Sequence, residues 1–259
     1  MPARPVQSVS NTELYDRWAE VYDTDGNILQ SIDDQLLPAL LTEAFSQRPA
    51  DEKISLTELG CGTGRNTSKL VQAPYTSQIR SVTALDLSAA MLEIAAANVA
   101  AANQSSREDG RGTSVRFVQY DALHPSLEPE TAELVLSTLV LEHLPLDVFF
   151  KTVRSFLNPN PRFGGGLVVL TNMHADMGRQ SQAGFVDIQT GEKIRGTSFV
   201  YEIHEVVQEA ERWGFEVVGD VQERMVHEED VASGVVGERG RKWVGVNVWF
   251  GCILRLQGL

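Results

Sequence analysis

Three alternate glycines, Gly60, Gly62 and Gly64, constrain this chain more than any other feature of its sequence. The stretch before them alternates as a strand does, and a helix can begin after them with Asn66 or Thr67 as its cap. Because glycine lacks a Cβ, its backbone adopts positive φ and lets a ligand lie directly against it. A strand, a glycine turn and a helix start in this order predict a ligand site in an α/β fold.

Two acidic residues lie near the turn and restrict the class of ligand that it can bind. Glu58 ends the first strand, where a carboxylate suits a cationic or hydroxyl-rich ligand better than a diphosphate. Asp86 ends the second strand, at about the 20-residue distance from the glycines at which an acid binds ribose hydroxyls. The dinucleotide fingerprint G-x-G-x-x-G is not met, because Arg65 stands where its third glycine would be. These residues favour an adenosine ligand without a pyrophosphate over a turn that only reverses the chain.

The same residues resemble the class I S-adenosylmethionine-dependent methyltransferases. The first motif of that family is an acid followed by x-G-x-G-x-G, and the segment Glu58-Leu-Gly-Cys-Gly-Thr-Gly64 matches each fixed position. Asp86 fits the acid of the second motif. The resemblance extends over roughly residues 14 to 220 and is closest to the small-molecule branch, the ubiquinone-methyltransferase-like enzymes. It implies S-adenosylmethionine (SAM) as the cofactor and S-adenosylhomocysteine (SAH) as its product.

The resemblance also implies cofactor contacts at successive strand ends and in the N-terminal helix. Leu87 would lie against the adenine, and Asp121 would accept from the adenine amino group beside the backbone N–H of Ala122. Backbone groups near Thr138 and Leu139 would complete the site after the fourth strand. The cofactor residues expected from the sequence are Tyr15, Tyr22, Glu58, Gly60, Cys61, Gly62, Gly64, Asp86, Leu87, Met91, Asp121, Ala122, Thr138 and Leu139.

The N-terminal segment combines a helix start with regularly spaced aromatic residues. Ser10 can cap a helix that has an acidic residue three positions later, and Tyr15, Trp18 and Tyr22 then recur at helical spacing. This stripe can face the core, or it can cover the cofactor, because aromatic faces suit a sulfonium cation. The resemblance favours a helical lid over residues about 10–45, and the chain before it is expected to be loose.

Two histidines at strand ends are the candidates for a catalytic base. His143 follows Glu142 after the fourth strand, and His174 follows the fifth strand, beside the expected transfer site. Histidine is a suitable base near neutral pH. The Glu-His pair can instead only order its loop, and His174 can be a loop residue without a task.

A long segment over residues 175–200 is expected to be an insertion that caps the substrate pocket. Long loops in compact domains are often functional. Nothing in the sequence ranks the side chains that could line this pocket. They are Arg179, Phe185, Arg195 and Tyr201.

Strands alternate with helices along most of the chain, which predicts a parallel sheet covered by helices on both faces. The expected fold is a Rossmann-like, doubly wound α/β sheet of seven strands, mostly parallel with an antiparallel last strand. The resemblance places that last strand between the fifth and the sixth. Its residues Trp243–Leu256 alternate strongly, and it could end in an exposed edge that pairs with another copy. We expect a single methyltransferase domain over residues 1–259.

Composition and charge restrict the partners. The net charge of −13 and the lack of a Lys/Arg cluster argue against nucleic acid. The two cysteines fit neither a disulfide framework nor a metal quartet, so no metal is expected. No apolar run reaches the about 18 residues of a membrane span, and no signal peptide precedes Asn11. We therefore expect a cytoplasmic protein without a membrane partner, either a monomer or a homodimer.

The reaction expected from the sequence is methyl transfer from SAM to an oxygen, nitrogen or sulfur nucleophile of a small-molecule acceptor. The sulfonium is already activated, so the protein mainly aligns the reactants and excludes water. A base is needed only when the acceptor is protonated at the working pH. Three alternatives stay open: a non-catalytic SAM-binding partner subunit, an NAD-type dinucleotide oxidoreductase, and a different reaction in which the cofactor is an electrostatic aid. The glycine spacing and Glu58 disfavour the oxidoreductase.

Overall fold

The computed structural model describes residues 5–48, 52–104, 112–126, 130–158 and 165–258 of the chain. Its strands are β1 (Val6–Ser8), β2 (Ile54–Leu59), β3 (Ile79–Asp86), β4 (Ser114–Gln119), β5 (Leu134–Thr138), β6 (Leu167–Met173), β7 (Gly184–Val186), β8 (Lys193–Arg195), β9 (Phe215–Met225) and β10 (Asn247–Leu256). Its helices are α1 (Asn11–Trp18), α2 (Ile28–Ser46), α3 (Arg65–Leu70), α4 (Ala89–Ala102), α5 (Leu146–Ser155), α6 (Ala175–Gly178), α7 (Ile203–Arg212), α8 (Glu228–Ala232) and α9 (Gly237–Gly240). Short 3-10 helices lie at Ala19–Val21, Tyr75–Ser77, Leu141–His143 and Arg241–Trp243.

Seven strands form the main sheet, in the order β4-β3-β2-β5-β6-β10-β9. The first five strands in this order, β4, β3, β2, β5 and β6, run parallel to one another. Strand β10 runs antiparallel to both of its neighbours. The central strands β5 and β6 are buried along their whole length, as expected for parallel strands covered on both faces. The predicted Rossmann-like sheet is confirmed, and its antiparallel strand lies between β6 and β9.

Apolar side chains from helices on the two faces of the sheet form separate cores. On one face α2 and α4 contribute Leu37, Leu40 and Ala95, and on the other face α5 and α7 contribute Phe149 and Val206. All five are almost completely buried. Since burial of apolar surface stabilises by roughly 25 cal/mol per Å², these two layers hold the sheet in a fixed position. The strand ends that carry the site are thereby held as well.

Two serines begin the helices on either side of the site. The N–H of Glu13 donates to the Ser10 hydroxyl at 3.1 Å, and the N–H of Met91 donates to the Ser88 hydroxyl at 3.1 Å. Both satisfy a backbone donor that the first helical turn leaves free. The cap predicted at the start of the N-terminal helix is therefore confirmed at Ser10.

The helix after the glycine turn begins earlier than expected. It starts at Arg65, directly after Gly64, whose φ is 80°. The expectation that Asn66 or Thr67 caps this helix is wrong, because the turn itself leads into the first helical residue. The side chains of Asn66 and Thr67 bond instead to Thr138 and to a buried carboxylate of β2.

The last strand begins later than expected and lies inside the sheet. It starts at Asn247, whereas Trp243 belongs to a short 3-10 helix and is buried. Because β6 and β9 pair with the two sides of β10, the expectation of an exposed, pairing edge at this strand is wrong. The edges of the main sheet are β4 and β9.

A second sheet of three strands joins the N-terminal segment to the 175–200 segment. β7 and β8 form an antiparallel hairpin, and β1 pairs in parallel with β8. Residues Val6–Ser8 therefore form a strand, contrary to the expectation of a loose segment, while residues 1–4 lie outside the described part. Arg17 of α1 forms an ion pair with Asp187 of the hairpin turn at 3.3 Å. The N-terminal helix and the insertion thus pack together as one layer.

Candidate functional site

The glycine turn lies at the carboxyl ends of β2 and β3. Gly60, Gly62 and Gly64 adopt φ values of 76°, 53° and 80°, in the left-handed region that other residues disfavour. The N–H of Gly62 donates to Oδ2 of Asp86 at 2.8 Å, and the N–H of Ser88 donates to Oδ1 at 2.9 Å. Asp86 therefore holds the glycine turn and the start of α4 in one arrangement.

The three glycines are required for different reasons. A Cβ on Gly60 would lie 2.1 Å from the side chain of Val140, and a Cβ on Gly64 would lie 3.0 Å from the backbone of α4. A Cβ on Gly62 would meet only the ring of Tyr22, at 4.0 Å. Gly60 and Gly64 thus permit close packing of the protein, whereas Gly62 leaves room for a ligand.

A cavity of about 410 Å³ opens beside the turn, and we call it the strand-end cavity. Small-molecule sites commonly have volumes of this order, with apolar walls and a few polar groups. It is lined by Ser10, Asn11, Thr12, Tyr15, Tyr22, Leu59, Gly60, Gly62, Asp86, Leu87, Met91, Tyr120, Asp121, Ala122, Leu123, His124, Thr138, Leu139, Val140, His143, Leu144 and Thr197.

Most of the residues expected to contact the cofactor line the strand-end cavity. They are Tyr15, Tyr22, Gly60, Gly62, Asp86, Leu87, Met91, Asp121, Ala122, Thr138 and Leu139, and the candidate base His143 lies among them. The fold therefore brings together residues from the N-terminal helix and from the ends of four strands.

The polar and apolar groups of this cavity fit an adenosine ligand. Burial raises the pKa of Asp86, and the backbone N–H groups of Ser88, Gly62 and Leu87 oppose that shift. A carboxylate that accepts one bond at each oxygen still has lone pairs for hydroxyl groups. Asp121, on the neighbouring strand end, is partly exposed, and Leu87 and Met91 supply apolar wall. Ribose hydroxyls and an adenine ring can therefore be bound by these side chains.

Three of the expected cofactor contacts do not line the cavity. Glu58 is 1% exposed, and its carboxylate accepts from the hydroxyl of Thr67 in α3. Burial raises the pKa of Glu58 to about 7, against the effect of that hydrogen bond. Cys61 is buried, which raises its pKa, and Gly64 packs against α4. These three residues pack on the side of the turn that faces away from the cavity and hold the turn in place.

Tyr15 and His143 form a hydrogen-bonded pair in the wall of the strand-end cavity. The hydroxyl of Tyr15 lies 2.7 Å from Nε2 of His143, and Nδ1 lies 3.0 Å from the carbonyl oxygen of Thr197. Since a carbonyl only accepts, we assign the ring proton to Nδ1, and Nε2 then accepts from Tyr15. Burial raises the pKa of Tyr15 well above its usual value, so this hydroxyl keeps its proton.

The N-terminal aromatic stripe divides between a small core and the cavity. Trp18 is 4% exposed and stacks on Phe185 of β7, with ring centroids 5.5 Å apart. Tyr15 and Tyr22 line the strand-end cavity. The stripe therefore anchors the segment through Trp18 and presents the two tyrosines to a ligand.

Two carboxylates connect the N-terminal segment to the ligand-binding turns. The hydroxyl of Ser88 donates to Asp16 at 2.5 Å, and the hydroxyl of Thr63 donates to Asp23 at 2.7 Å. Ser88 follows the ribose-side acid of β3, and Thr63 lies within the glycine turn. These bonds hold the segment against the turns that line the strand-end cavity.

A second cavity, of about 250 Å³, lies between the N-terminal segment, the β7–β8 hairpin and the chain before β10, and we call it the lid cavity. Tyr15, Tyr22 and Leu139 line both cavities. The other residues of the lid cavity are Trp18, Asp25, Gly26, Asn27, Ile28, Leu29, Glu142, Met173, Met177, Ser181, Gln182, Ala183, Gly184, Phe185, Val186, Lys193, Arg239, Lys242 and Trp243. The two cavities therefore meet at one shared wall.

His174 lies outside this arrangement. It is 7% exposed and lines neither cavity. Its Nδ1 accepts from the N–H of Asp176 at 3.0 Å, so we assign the ring proton to Nε2, which lies 2.9 Å from Oε1 of Glu223. Both ring nitrogens are thus engaged by protein groups, and the structure does not bring this candidate base to the site.

Several residues of the lid cavity carry no signal in the sequence. Of the four side chains considered for the substrate pocket, Phe185 lines the lid cavity, and the other three line neither of the two cavities. Glu142 lines the lid cavity, is 5% exposed, and its Oε2 has no hydrogen-bond partner among the described residues. Burial raises the pKa of Glu142, and the neighbouring His143 opposes that shift. Only the Glu-His pair after the fourth strand could have pointed to it.

Comparisons with known proteins agree with this geometry. The methyltransferase domain model matches residues 57–160. An uncharacterized methyltransferase of Emericella nidulans is 44% identical over 271 residues, which cover 95% of this chain and 91% of that relative. The solved complex of DhpI with SAH has a TM-score of 0.58 at 19% identity and covers 96% of both chains. The 4+2 cyclase SpnF has a TM-score of 0.57 at 18% identity and covers 99% of both chains.

The near full-length relative at this identity establishes the family. The chain belongs to the class I SAM-dependent methyltransferases, and SAM is its cofactor. The two solved structures share its fold.

Two further observations concern membrane-spanning helices and metal binding. Among the helices that the structure describes, none combines the length and apolar content of a membrane span. The described residues also contain no cluster of three or more His, Cys, Asp or Glu side chains arranged to hold a metal ion.

Proposed function

We propose that the chain transfers the methyl group of SAM to an oxygen, nitrogen or sulfur nucleophile of a small molecule bound in the lid cavity. The observation that carries this proposal is the wall of Tyr15, Tyr22 and Leu139 shared by the two cavities. One cavity holds most of the residues expected for SAM. The other has a volume of about 250 Å³, which suits an acceptor of modest size.

The shared wall and its cover perform the positioning that such a transfer needs. SAM supplies an activated methyl group on a sulfonium when it is bound. Tyr15 and Tyr22 place aromatic rings at the wall, and aromatic faces stabilise a cation. The N-terminal segment, held by Asp16 and Asp23, limits the access of water and keeps the two ligands oriented. Orientation of this kind can supply much of the rate.

Two side chains near the shared wall can take a proton from the acceptor. Nε2 of His143 accepts from the hydroxyl of Tyr15, so His143 can receive a proton only through that hydroxyl, which would take the acceptor's proton as it gives up its own. Glu142 lines the lid cavity itself, with an unpartnered oxygen. Nε2 of His143 lies 3.9 Å from Oε1 of Glu142, so the two groups act in one place. His143 remains the base predicted from the sequence, and Glu142 joins it. His174 has no part in this proposal, because it lines neither cavity.

The alternatives are less well supported. A non-catalytic SAM-binding subunit would not need a second cavity that meets the first. The 4+2 cyclase among the solved structures shows that this fold also carries other reactions, so a different reaction of a bound small molecule is the second candidate. A cytoplasmic location and a monomeric or homodimeric state remain predictions from the sequence.

Two measurements test the proposal in sequence. Calorimetric titration should show binding of SAM and SAH and no binding of NAD. The protein is then incubated with radiolabelled SAM and a small-molecule extract of Emericella nidulans, the source of the relative. Transfer of label to a compound that appears only with active protein is the expected result. Binding of SAM without any labelled product from such extracts would contradict the proposal and favour the binding subunit.

A further inference from the structure

Three cationic side chains converge in the lid cavity from two separate parts of the chain. Lys193 belongs to β8, whereas Arg239 and Lys242 lie in the segment between β9 and β10. The protein as a whole has a net charge of −13. A local excess of positive charge in one cavity therefore contrasts with the rest of the molecule.

Among the described residues, none of the three cations forms an ion pair with an acid. Burial raises the pKa of Asp25, and the charge of Arg239 in the same cavity opposes that shift. In the described part of the chain, no carboxylate oxygen lies within 4.0 Å of the charged nitrogens of Lys193, Arg239 or Lys242. Arginines elsewhere on the same cover are paired: Arg17 contacts two carboxylates, and so does Arg179. The charge in the cavity is therefore available to a ligand.

The cations are positioned by packing against other groups of the cavity. Nζ of Lys242 lies 4.8 Å from the ring centroid of the buried Trp243. The guanidinium of Arg239 lies against the backbone of Gly26, where an added Cβ would be 3.4 Å from it. Burial, with Arg195 and Lys242 nearby, lowers the pKa of Lys193. Like charges brought together in this way repel one another, and a bound anion would relieve the repulsion.

The two acids that line the same cavity have other tasks. Asp25 accepts from Nε1 of Trp18 at 2.9 Å and from the N–H of Asn27 at 3.0 Å, which holds the loop after the N-terminal helix. Glu142 lies next to His143, by the wall that both cavities share. The cavity thus has a carboxylate near the transfer point and unpaired cations contributed by the hairpin and the segment before β10.

We infer that the methyl acceptor carries an anionic group, a carboxylate or a phosphate, which is bound by Arg239, Lys242 and Lys193. The aromatic rings of Trp18, Phe185 and Trp243 pack along its apolar body, and Glu142 faces its nucleophilic end. The identification of this ligand as the acceptor rests on the proposed function, whereas the anion site rests on the cavity alone. Charge-assisted hydrogen bonds are about twice as strong as neutral ones, so the anion would dominate the choice of acceptor.

The test uses the full chain at low ionic strength and four probes of similar size: benzoate, phenyl phosphate, benzamide and benzyl alcohol. Each is titrated calorimetrically, both with saturating SAH and without it. The variants are the double substitution Arg239→Ala and Lys242→Ala, the single substitution Lys193→Ala, and Arg212→Ala as a matched control. Arg212 pairs with Glu209 on α7 and lines neither cavity. Thermal unfolding of each variant confirms that it is folded.

We expect at least one anionic probe to bind about tenfold or more tightly than the neutral probes, as charge-assisted bonds would give. The double variant should lose this preference, Lys193→Ala should weaken it, and Arg212→Ala should retain it. The inference is overturned if no anion binds, if neither benzoate nor phenyl phosphate binds more tightly than benzamide, or if the preference survives the double substitution. Failure of SAH to bind would instead count against the proposed function, because the titrations without SAH still decide the anion site. Inorganic phosphate and acetate, added as competitors, separate recognition of the charge from recognition of the ring.

Discussion

The two cavities share a wall but are built in different ways. The strand-end cavity takes most of its lining from residues that directly follow parallel strands, and the chemically distinctive ones fall in short motifs. The lid cavity is assembled from the loop after the N-terminal helix, the β7–β8 hairpin and the segment between β9 and β10. A sheet therefore fixes the first cavity, whereas contacts between surface segments fix the second.

This difference separates what the fold needs from what the acceptor needs. The strand ends can keep one cofactor geometry while the covering segments change, because few of the lid residues belong to the sheet. The single wall of Tyr15, Tyr22 and Leu139 is the place where the two requirements meet. Substitutions on either side of it should consequently have separable effects.

The largest effect is expected from Gly62→Val, which breaks the strand-end side. The side chain would enter the open space beside the turn, at a φ of 53° that Val disfavours. SAM affinity should fall by about 100-fold or more, or by about 2.8 kcal/mol, in calorimetric titration. Binding of anions in the lid cavity should persist.

The control for this substitution is Gly191→Val in the β7–β8 turn. Gly191 has a φ of 71° and no neighbour within 4 Å of an added Cβ. The substitution therefore introduces similar backbone strain, but away from the strand-end cavity. Stability should decrease in both variants, and SAM affinity only in the first. An equal loss of SAM binding in both would show that strain, and not occupied space, is responsible.

The same difference in construction explains why the strand-end cavity could be predicted from the sequence and the lid cavity could not. The glycines and Asp86 were predicted from their spacing and from the meeting of parallel strand ends at one edge of the sheet, and Asp121 was predicted from the family resemblance. Arg239 and Lys242 were not, because nothing in a local pattern shows which distant segments will pack together. Their cavity exists only after the hairpin and the N-terminal helix have come together.

Two strand-end residues expected at the site lie away from both cavities for a similar physical reason. β2 is buried on both faces, so alternation could not show that Glu58 points toward α3 and away from the cavity. His174 directly follows β6, as expected. However, the antiparallel strand β10 flanks β6 on the side away from β5, and the ring of His174 contacts Glu223 of β9. A position at the end of a strand does not show toward which side of the strand the side chain points.

A second effect, on the free energy of unfolding and not on SAM affinity, tests the structural role of Glu58. Its pKa is raised to about 7 in the folded protein, from a usual value of 4.5, so the protonated form is favoured by folding. This contribution is fully present below about pH 4.5 and is lost as the pH rises through about 7. Between pH 4 and pH 8 the wild type should lose on the order of 3 kcal/mol relative to Glu58→Gln.

Denaturant unfolding at both pH values measures this difference, with Glu192→Gln on the exposed hairpin turn as the control. SAM affinity of Glu58→Gln should stay close to that of the wild type, because Glu58 does not line the cavity. A strong loss of SAM binding with little change in pH dependence would restore Glu58 as a cofactor contact, as the motif alone suggests.

The smallest effect is expected at the shared wall, from Tyr15→Phe. This substitution keeps the ring but removes the hydroxyl that lies 2.7 Å from Nε2 of His143. A neutral hydrogen bond contributes about 1 kcal/mol, so methyl transfer should slow by about fivefold while SAH affinity changes little. The nitrogen NMR signals of His143 provide a readout that needs no acceptor: the wild type should carry its proton on Nδ1, and the variant should show a mixture of tautomers. Tyr201→Phe is the matched control, since its hydroxyl donates to the carbonyl of Leu144 and the side chain lines neither cavity. If Tyr15→Phe instead abolished SAH binding and left the tautomer unchanged, Tyr15 would belong to the strand-end side alone, and the wall would not couple the two cavities.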